Sequence, residues 1–121
     1  MRDHRKLKAF LAADALVESV YRETKAFPRS EAFGLTAQMR RAAVSAVANI
    51  VEGSARESEA EYRQFLCIAF GSLREVGYFI DLAHRLDFLT ETGALHLVRL
   101  HEEASRLLGG LVRRYTMTSK R

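Results

Sequence analysis

Three observations in the sequence predict an all-α protein, an up-down-up-down antiparallel four-helix bundle. The 121-residue chain has one proline, Pro28, and its other breaks fall near Gly34, Gly53 and Gly93, which leaves four stretches of roughly 20 to 30 residues. In each stretch apolar residues recur at spacings of three and four, as they do on one face of a helix. The loops between the stretches, about 5 to 9 residues long, favour antiparallel neighbours.

The first two helices follow from this spacing. Residues 5–26 are predicted to form the first helix, which Pro28 ends because a proline restricts the residue before it. The second helix is predicted over residues 35–53, and its packing face consists mostly of alanine. Because small side chains let another helix approach closely, we expect this helix to be central rather than peripheral.

The starts of the last two helices are predicted by capping residues. Ser58 and Glu61 form a capping-box pattern at the start of the third helix, and Thr90 can cap the fourth. Two apolar seams run along the third helix and predict two neighbours. The first seam contains Tyr62, Leu66, Ala69, Leu73, Val76, Ile80 and Ala83, and the second contains Phe65, Ile68, Phe79, Leu82 and Leu86.

All four helices are assigned to one domain, residues 1–115, and residues 116–121 are predicted to form a flexible basic tail. Apolar residues make up 48% of the chain and charged residues 28%, which is the composition of a globular protein. No stretch reaches the roughly 18 consecutive apolar residues of a membrane span, and the amino terminus lacks a signal-peptide pattern. We therefore expect a cytoplasmic protein with no membrane partner.

Five polar residues fall where the apolar pattern predicts packing. Asn49, Glu52 and Arg56 share one face if the second helix continues past Gly53, and Ser72 and Glu75 interrupt the second seam of the third helix. They are interpreted as structural groups that hydrogen-bond across a helix pair or a subunit interface and fix its register. A ligand or nucleic-acid contact, and simple surface exposure, are the alternatives.

The motifs that would indicate an enzyme are missing. There are no paired Glu-x-x-His motifs, no His-Glu-x-x-His and no Gly-x-Ser-x-Gly, which disfavours di-iron, zinc and serine-nucleophile chemistry. No glycine-rich phosphate loop occurs either. The sequence therefore predicts a non-enzymatic protein with no catalytic residue, no metal site and no cofactor.

The net charge of +4 is unevenly distributed along the chain: residues 1–8 carry +3, residues 113–121 carry +4, and the remainder carries −3. In an up-down-up-down bundle both termini and the turn between the second and third helices meet at one end. This end is predicted to carry ten basic and five acidic residues, and it could attract a phosphate backbone. The ten candidate nucleic-acid-binding residues are Arg2, Arg5, Lys6, Lys8, Arg56, Arg63, Arg113, Arg114, Lys120 and Arg121.

The run LTAQMRRAAVSAVANIVEGSAR, followed by EYRQFLCIAFGSLREV, resembles the bacterial four-helix-bundle proteins encoded by intervening sequences within 23S rRNA genes. The resemblance covers the second and third helices. It implies a left-handed bundle that assembles into a ring, with a homopentamer as the favoured form. It also extends to accessory proteins of diversity-generating retroelements, which implies nucleic acid and a reverse transcriptase as partners.

Two functions follow from the residues and the resemblance together. The leading hypothesis is an oligomeric bundle that binds RNA or DNA through its basic end with little sequence specificity. The alternative is a ring-forming scaffold or accessory subunit that binds protein through the five polar residues and does not bind nucleic acid.

Overall fold

A computed structural model gives the fold of residues 2–119, with side chains described as far as Thr116. It contains four α-helices: α1 (Lys8–Thr24), α2 (Leu35–Ser54), α3 (Glu59–Arg85) and α4 (Glu91–Ser119). Single 3₁₀ turns at His4–Lys6 and Arg29–Glu31 precede α1 and α2. These residues include no strand, so the predicted all-α class is confirmed.

The helices occupy the corners of a square. Each helix packs against its neighbours in the chain, α1 and α4 close the ring, and within the described residues no Cα atoms of the diagonal pairs lie within 8 Å of each other. One apolar core runs along the axis, where Leu16, Met39, Leu73 and Leu108 are fully buried, one from each helix. Burying each such side chain contributes about 1.5–3 kcal/mol, so the shared core holds the four helices together as the predicted four-helix bundle.

Both predicted capping residues are found at helix starts. The Oγ atom of Ser58 accepts a hydrogen bond from the backbone N–H of Glu61 at 3.2 Å, and the Oγ1 atom of Thr90 accepts one from the N–H of Gly93 at 3.0 Å. At the other end of α3, Asp87 has a φ of 63°, a left-handed conformation that aspartate tolerates better than most residues. It reverses the chain toward α4.

The second helix differs from its predicted central position. A small residue does permit a close approach to α3 at Gly53, where an added methyl group would lie 2.7 Å from the Cβ atom of Phe65. Each helix nevertheless fills one corner of the square, and α2 has an outer face like the others. The second seam of α3 is also only partly covered, because Ile68 and Leu86 are about half exposed.

The last helix extends beyond the predicted domain boundary. Residues 116–119, which the sequence pattern places in a tail, continue α4 to Ser119, and residues 120 and 121 lie outside the described part. None of the helices within residues 2–119 combines the length and the apolar character needed to cross a bilayer.

Candidate nucleic-acid interface

Arg2, the α2–α3 turn and the last turns of α4 meet at one end of the bundle. The Nη1 atom of Arg2 donates a hydrogen bond to the carbonyl oxygen of Arg56 at 2.7 Å, joining the amino terminus to the α2–α3 turn. The Nε atom of Arg63 donates one to Oγ1 of Thr116 at 2.8 Å, joining α3 to the end of α4. These contacts bring candidate basic residues from distant parts of the sequence onto one surface.

This surface, called the basic end below, contains eight of the ten candidate residues. They are Arg2, Arg5, Lys6, Lys8, Arg56, Arg63, Arg113 and Arg114, and the nearby acidic residues are Asp3, Glu52, Glu57, Glu59 and Glu61, so the described charge is +3. The other two candidates, Lys120 and Arg121, lie outside the described residues. Arg5, Lys6, Lys8, Arg113 and Arg114 are exposed.

An aromatic contact supports the centre of the basic end. The guanidinium carbon of Arg2 lies 4.2 Å from the ring centroid of Tyr62, and Tyr115 meets that ring edge-on at 4.9 Å. Tyr62 is only 1% exposed, and this burial, together with the neighbouring Tyr115, raises the pKa of its hydroxyl. Arg2 is therefore held in place by a buried ring as well as by its hydrogen bond.

Arg56 stands beside Arg2 in an open cleft of about 560 Å³ that Ala55 and Glu57 complete. Its guanidinium pairs with Glu52 and lies 5.0 Å from the ring centroid of Phe65. The Nε atom of Arg56 is buried and has no hydrogen-bond partner among the described residues. Glu52 thus neutralises part of the positive charge at the cleft.

A second acidic residue pairs within the basic end. Asp3 accepts a hydrogen bond from Nε of Arg5 at 3.0 Å, and this contact lowers the pKa of Asp3. The pair is exposed to solvent, where water and salt screen such interactions and leave them weak. A phosphate group can therefore compete with Asp3 for Arg5 at little cost.

The five polar residues predicted as structural or interface groups lie on or beside the outer surface between α2 and α3. A shallow cleft of about 150 Å³ there, called the polar groove below, is lined by Gln38, Arg41, Ala42, Ser45, Ser72 and Glu75. Glu52 and Arg56 lie further along α2 toward the basic end. Within this set Ser72 is buried, Asn49 and Arg56 are half-buried, and Glu52 and Glu75 are exposed.

The hydrogen bond across this helix pair joins two serines. The hydroxyls of Ser45 and Ser72 are 2.9 Å apart. Asn49 instead donates within its own helix, from Nδ2 to the carbonyl oxygen of Ser45 at 2.8 Å and to its Oγ atom at 3.2 Å. The α2–α3 contact therefore depends directly on Ser45, which sequence reasoning did not select, and Asn49 supports that serine.

Sequence reasoning also missed an apolar stripe on the outer face of α2. Val44, Ala48, Val51 and Ala55 are all exposed and recur at spacings of four, three and four, which places them in one row. Val44 is 42% exposed and Val51 36%. The same spacing rule that predicts the core face of this helix could have found the stripe, since these four apolar residues follow it.

The fold and these surfaces define a small helical-bundle protein with one basic end. No group of three His, Cys, Asp or Glu side chains in its described part could hold a metal ion. The chain belongs to the 23S rRNA-intervening sequence protein family, whose sequence model matches residues 5–110. The family resemblance of the α2 and α3 sequences is thereby confirmed, and it extends over most of the chain.

Solved structures with a similar fold include that of a protein with unknown function from the S23 ribosomal protein family of Bacteroides thetaiotaomicron. The two structures match with a TM-score of 0.71 over 84% of this chain and 97% of that chain, at 23% sequence identity. Comparison with the curated proteins finds no match.

Proposed function

We propose that this protein is a cytoplasmic, non-enzymatic, oligomeric bundle that binds RNA or DNA through the basic end. The observation that carries the proposal is the convergence of Arg2, the α2–α3 turn and the end of α4, through the contacts of Arg2 with Arg56 and of Arg63 with Thr116. Contacts with phosphates carry no base information, so the binding is weakly sequence-specific and strongly salt-dependent.

An oligomer would strengthen this binding. The exposed stripe of Val44, Ala48, Val51 and Ala55 on α2 supports assembly, because burying it against a second copy removes apolar surface from water. A homopentameric ring is the form that the sequence resemblance implies. With parallel subunits, such a ring gathers its basic ends on one face, where their fields add. A polymerase such as a reverse transcriptase is the class of protein partner that the same resemblance suggests.

The test compares two variants with the same loss of charge. In the first, the exposed Arg5, Lys6, Lys8 and Arg113 are each changed to Gln. In the matched control, Arg22, Lys25, Arg29 and Arg85, which are exposed at the other end of the bundle, are changed in the same way. Binding of a labelled DNA duplex is measured by fluorescence anisotropy over about 50–200 mM salt, a range in which phosphate contacts lose most of their affinity.

The first variant is expected to bind far more weakly and with a shallower salt dependence, since each lost phosphate contact removes about 0.9 from the slope of log K against log salt. The control should keep a slope close to that of the unmodified protein. Binding that does not respond to salt, or an equal loss in both variants, would show that the basic end is not the binding surface.

The second candidate function is a scaffold that binds protein and no nucleic acid. The polar groove favours it, because Gln38, Arg41 and Glu75 line an open cleft beside the Ser45–Ser72 contact. This function predicts no retention on heparin at about 150 mM salt, where the Debye length is about 8 Å. It also predicts that Asn49→Leu changes the oligomeric mass measured by native mass spectrometry, because the change removes a polar group that would fix the register of a subunit interface.

A further inference from the structure

We infer that the basic end binds double-helical nucleic acid in preference to a single strand. This inference rests on the proposed function and names the substrate class of the same site. The preference depends on whether the aromatic rings at the basic end are free to stack with bases. Proteins that hold single strands without sequence preference combine basic grooves with aromatic rings on which bases stack.

The rings at the basic end are already engaged inside the protein. Arg2 covers a face of Tyr62, which is 1% exposed, and Tyr115 packs edge-on against the same ring. Phe65 lies under the guanidinium of Arg56, and Phe10 packs against His4 with ring centroids 4.8 Å apart. Tyr62 and Phe65 support arginines and Phe10 contacts His4, so a base would have to displace one of these side chains in order to stack.

The aromatic side chains that are exposed lie elsewhere in the described structure. Phe33 is 99% exposed, in the segment that connects α1 to α2 at the opposite end. Tyr78 is 56% exposed and Tyr21 39% exposed, and both lie in the halves of their helices that are far from the basic end. The exposed aromatic rings and the basic end are therefore separated along the axis of the bundle.

Two of the cations at the basic end are held by the fold. Arg2 has both a hydrogen bond and a ring contact, and Arg63 is hydrogen-bonded to Thr116. A fixed set of cations suits a ligand whose phosphates are also fixed in space. A duplex meets this requirement, whereas a single strand has to lose conformational freedom to match the same positions.

Charge density favours the duplex further. Double-stranded DNA carries one charge per ~1.7 Å of axis, and counterion release contributes about 0.9 to the salt slope per phosphate contact, against about 0.7 for a single strand. With about five phosphate contacts, the two salt slopes differ by about 1. Lowering the salt from about 1 M to about 50 mM therefore raises the affinity for the duplex roughly twentyfold more than the affinity for the single strand. Stacking could reverse this ratio, but the rings at the basic end are occupied.

The test uses the full chain, a labelled 20-nucleotide DNA strand without self-complementarity, and the duplex formed from it. Dissociation constants are measured by anisotropy at about 50 mM and 150 mM salt and compared at equal nucleotide concentration. The expected result is binding of the duplex roughly tenfold tighter than the strand at the lower salt concentration. Equal or tighter binding of the strand overturns the inference and leaves the proposed function standing, whereas binding of neither probe overturns the proposed function itself.

A second variant tests the reason for the preference. Phe33→Ala combined with Tyr78→Ala removes the two most exposed aromatic rings without touching the basic end. We expect both dissociation constants to stay within about twofold of those of the unmodified protein, because a lost base-stacking contact costs roughly tenfold. A selective tenfold loss of single-strand binding in this variant would show that strands stack on these distant rings, and it would overturn the inference.

Discussion

The imidazole of His101 lies against the backbone of Gly77 at the contact between α3 and α4. Its Nε2 atom donates a hydrogen bond to the carbonyl oxygen of Leu73 at 2.7 Å, and since a carbonyl can only accept, Nε2 carries the proton. A methyl group on Gly77 would lie 2.7 Å from Cε1 of His101. The glycine therefore makes room for the ring that connects the two helices.

Replacing Gly77 by alanine should lower the free energy of unfolding by about 1 kcal/mol. Displacing the His101 ring costs about 1–3 kcal/mol, as overpacking of a filled site does, and the better helix propensity of alanine recovers at most about 1 kcal/mol. Urea unfolding followed by circular dichroism measures the change.

Gly71→Ala is the matched control, because Gly71 is exposed in the same helix and nothing lies within 4 Å of an added methyl group. This variant should be about 0.5–1 kcal/mol more stable than the unmodified protein. Equal stabilisation by both substitutions would contradict the role assigned to Gly77.

The Ser45–Ser72 hydrogen bond should appear as an energetic coupling between α2 and α3. A double-mutant cycle with Ser45→Ala and Ser72→Ala is expected to give a coupling of about 0.5–1.5 kcal/mol, the usual net value of one hydrogen bond. Urea unfolding of the two single variants and the double variant supplies the numbers. Strict additivity of the two single changes would mean that the contact contributes nothing.

The elements that the sequence predicts well are those set by local chemistry. A capping serine or threonine depends on residues within one turn, so the starts of α3 and α4 at Ser58 and Thr90 are correctly predicted. The basic end also follows from the sequence, because short loops fix an alternating direction for the helices and hence decide which charged segments meet.

The partners of individual side chains could not be predicted in the same way. Whether Asn49 bonds across a helix pair or within its own helix depends on the rotation of α2 about its axis, and packing of the whole bundle sets that rotation. The sequence therefore places Asn49 near the α2–α3 contact, but it does not indicate that the Nδ2 atom bonds to Ser45 within α2. The contact of Arg2 with Tyr62 joins residues that are 60 positions apart in the sequence, so no local sequence pattern predicts it.

Tyr62 should make stability fall at high pH. Burial raises the pKa of its hydroxyl in the folded state, whereas the unfolded value is about 10. Between these two values the folded state retains a proton that the unfolded state has lost, so the free energy of unfolding decreases as the pH rises above about 10. Tyr62→Phe removes this group, and the stability difference between Tyr62→Phe and the unmodified protein should widen in favour of phenylalanine from pH 9 to pH 11. A pH-independent difference would exclude the burial effect.

Glu52 should limit the affinity of the basic end for nucleic acid, because it pairs with Arg56 beside the open cleft. Changing Glu52 to Gln leaves the size of the side chain almost unchanged and releases Arg56 to contact a phosphate, which at about 50 mM salt should raise duplex affinity roughly threefold to tenfold. Glu18→Gln is the matched control, since Glu18 forms the same kind of exposed pair with Arg22, away from the basic end. Anisotropy titrations of both variants should show the increase for Glu52→Gln alone, with a steeper salt dependence. An equal increase in both variants would mean that only the net charge of the protein matters and that the position of Arg56 does not.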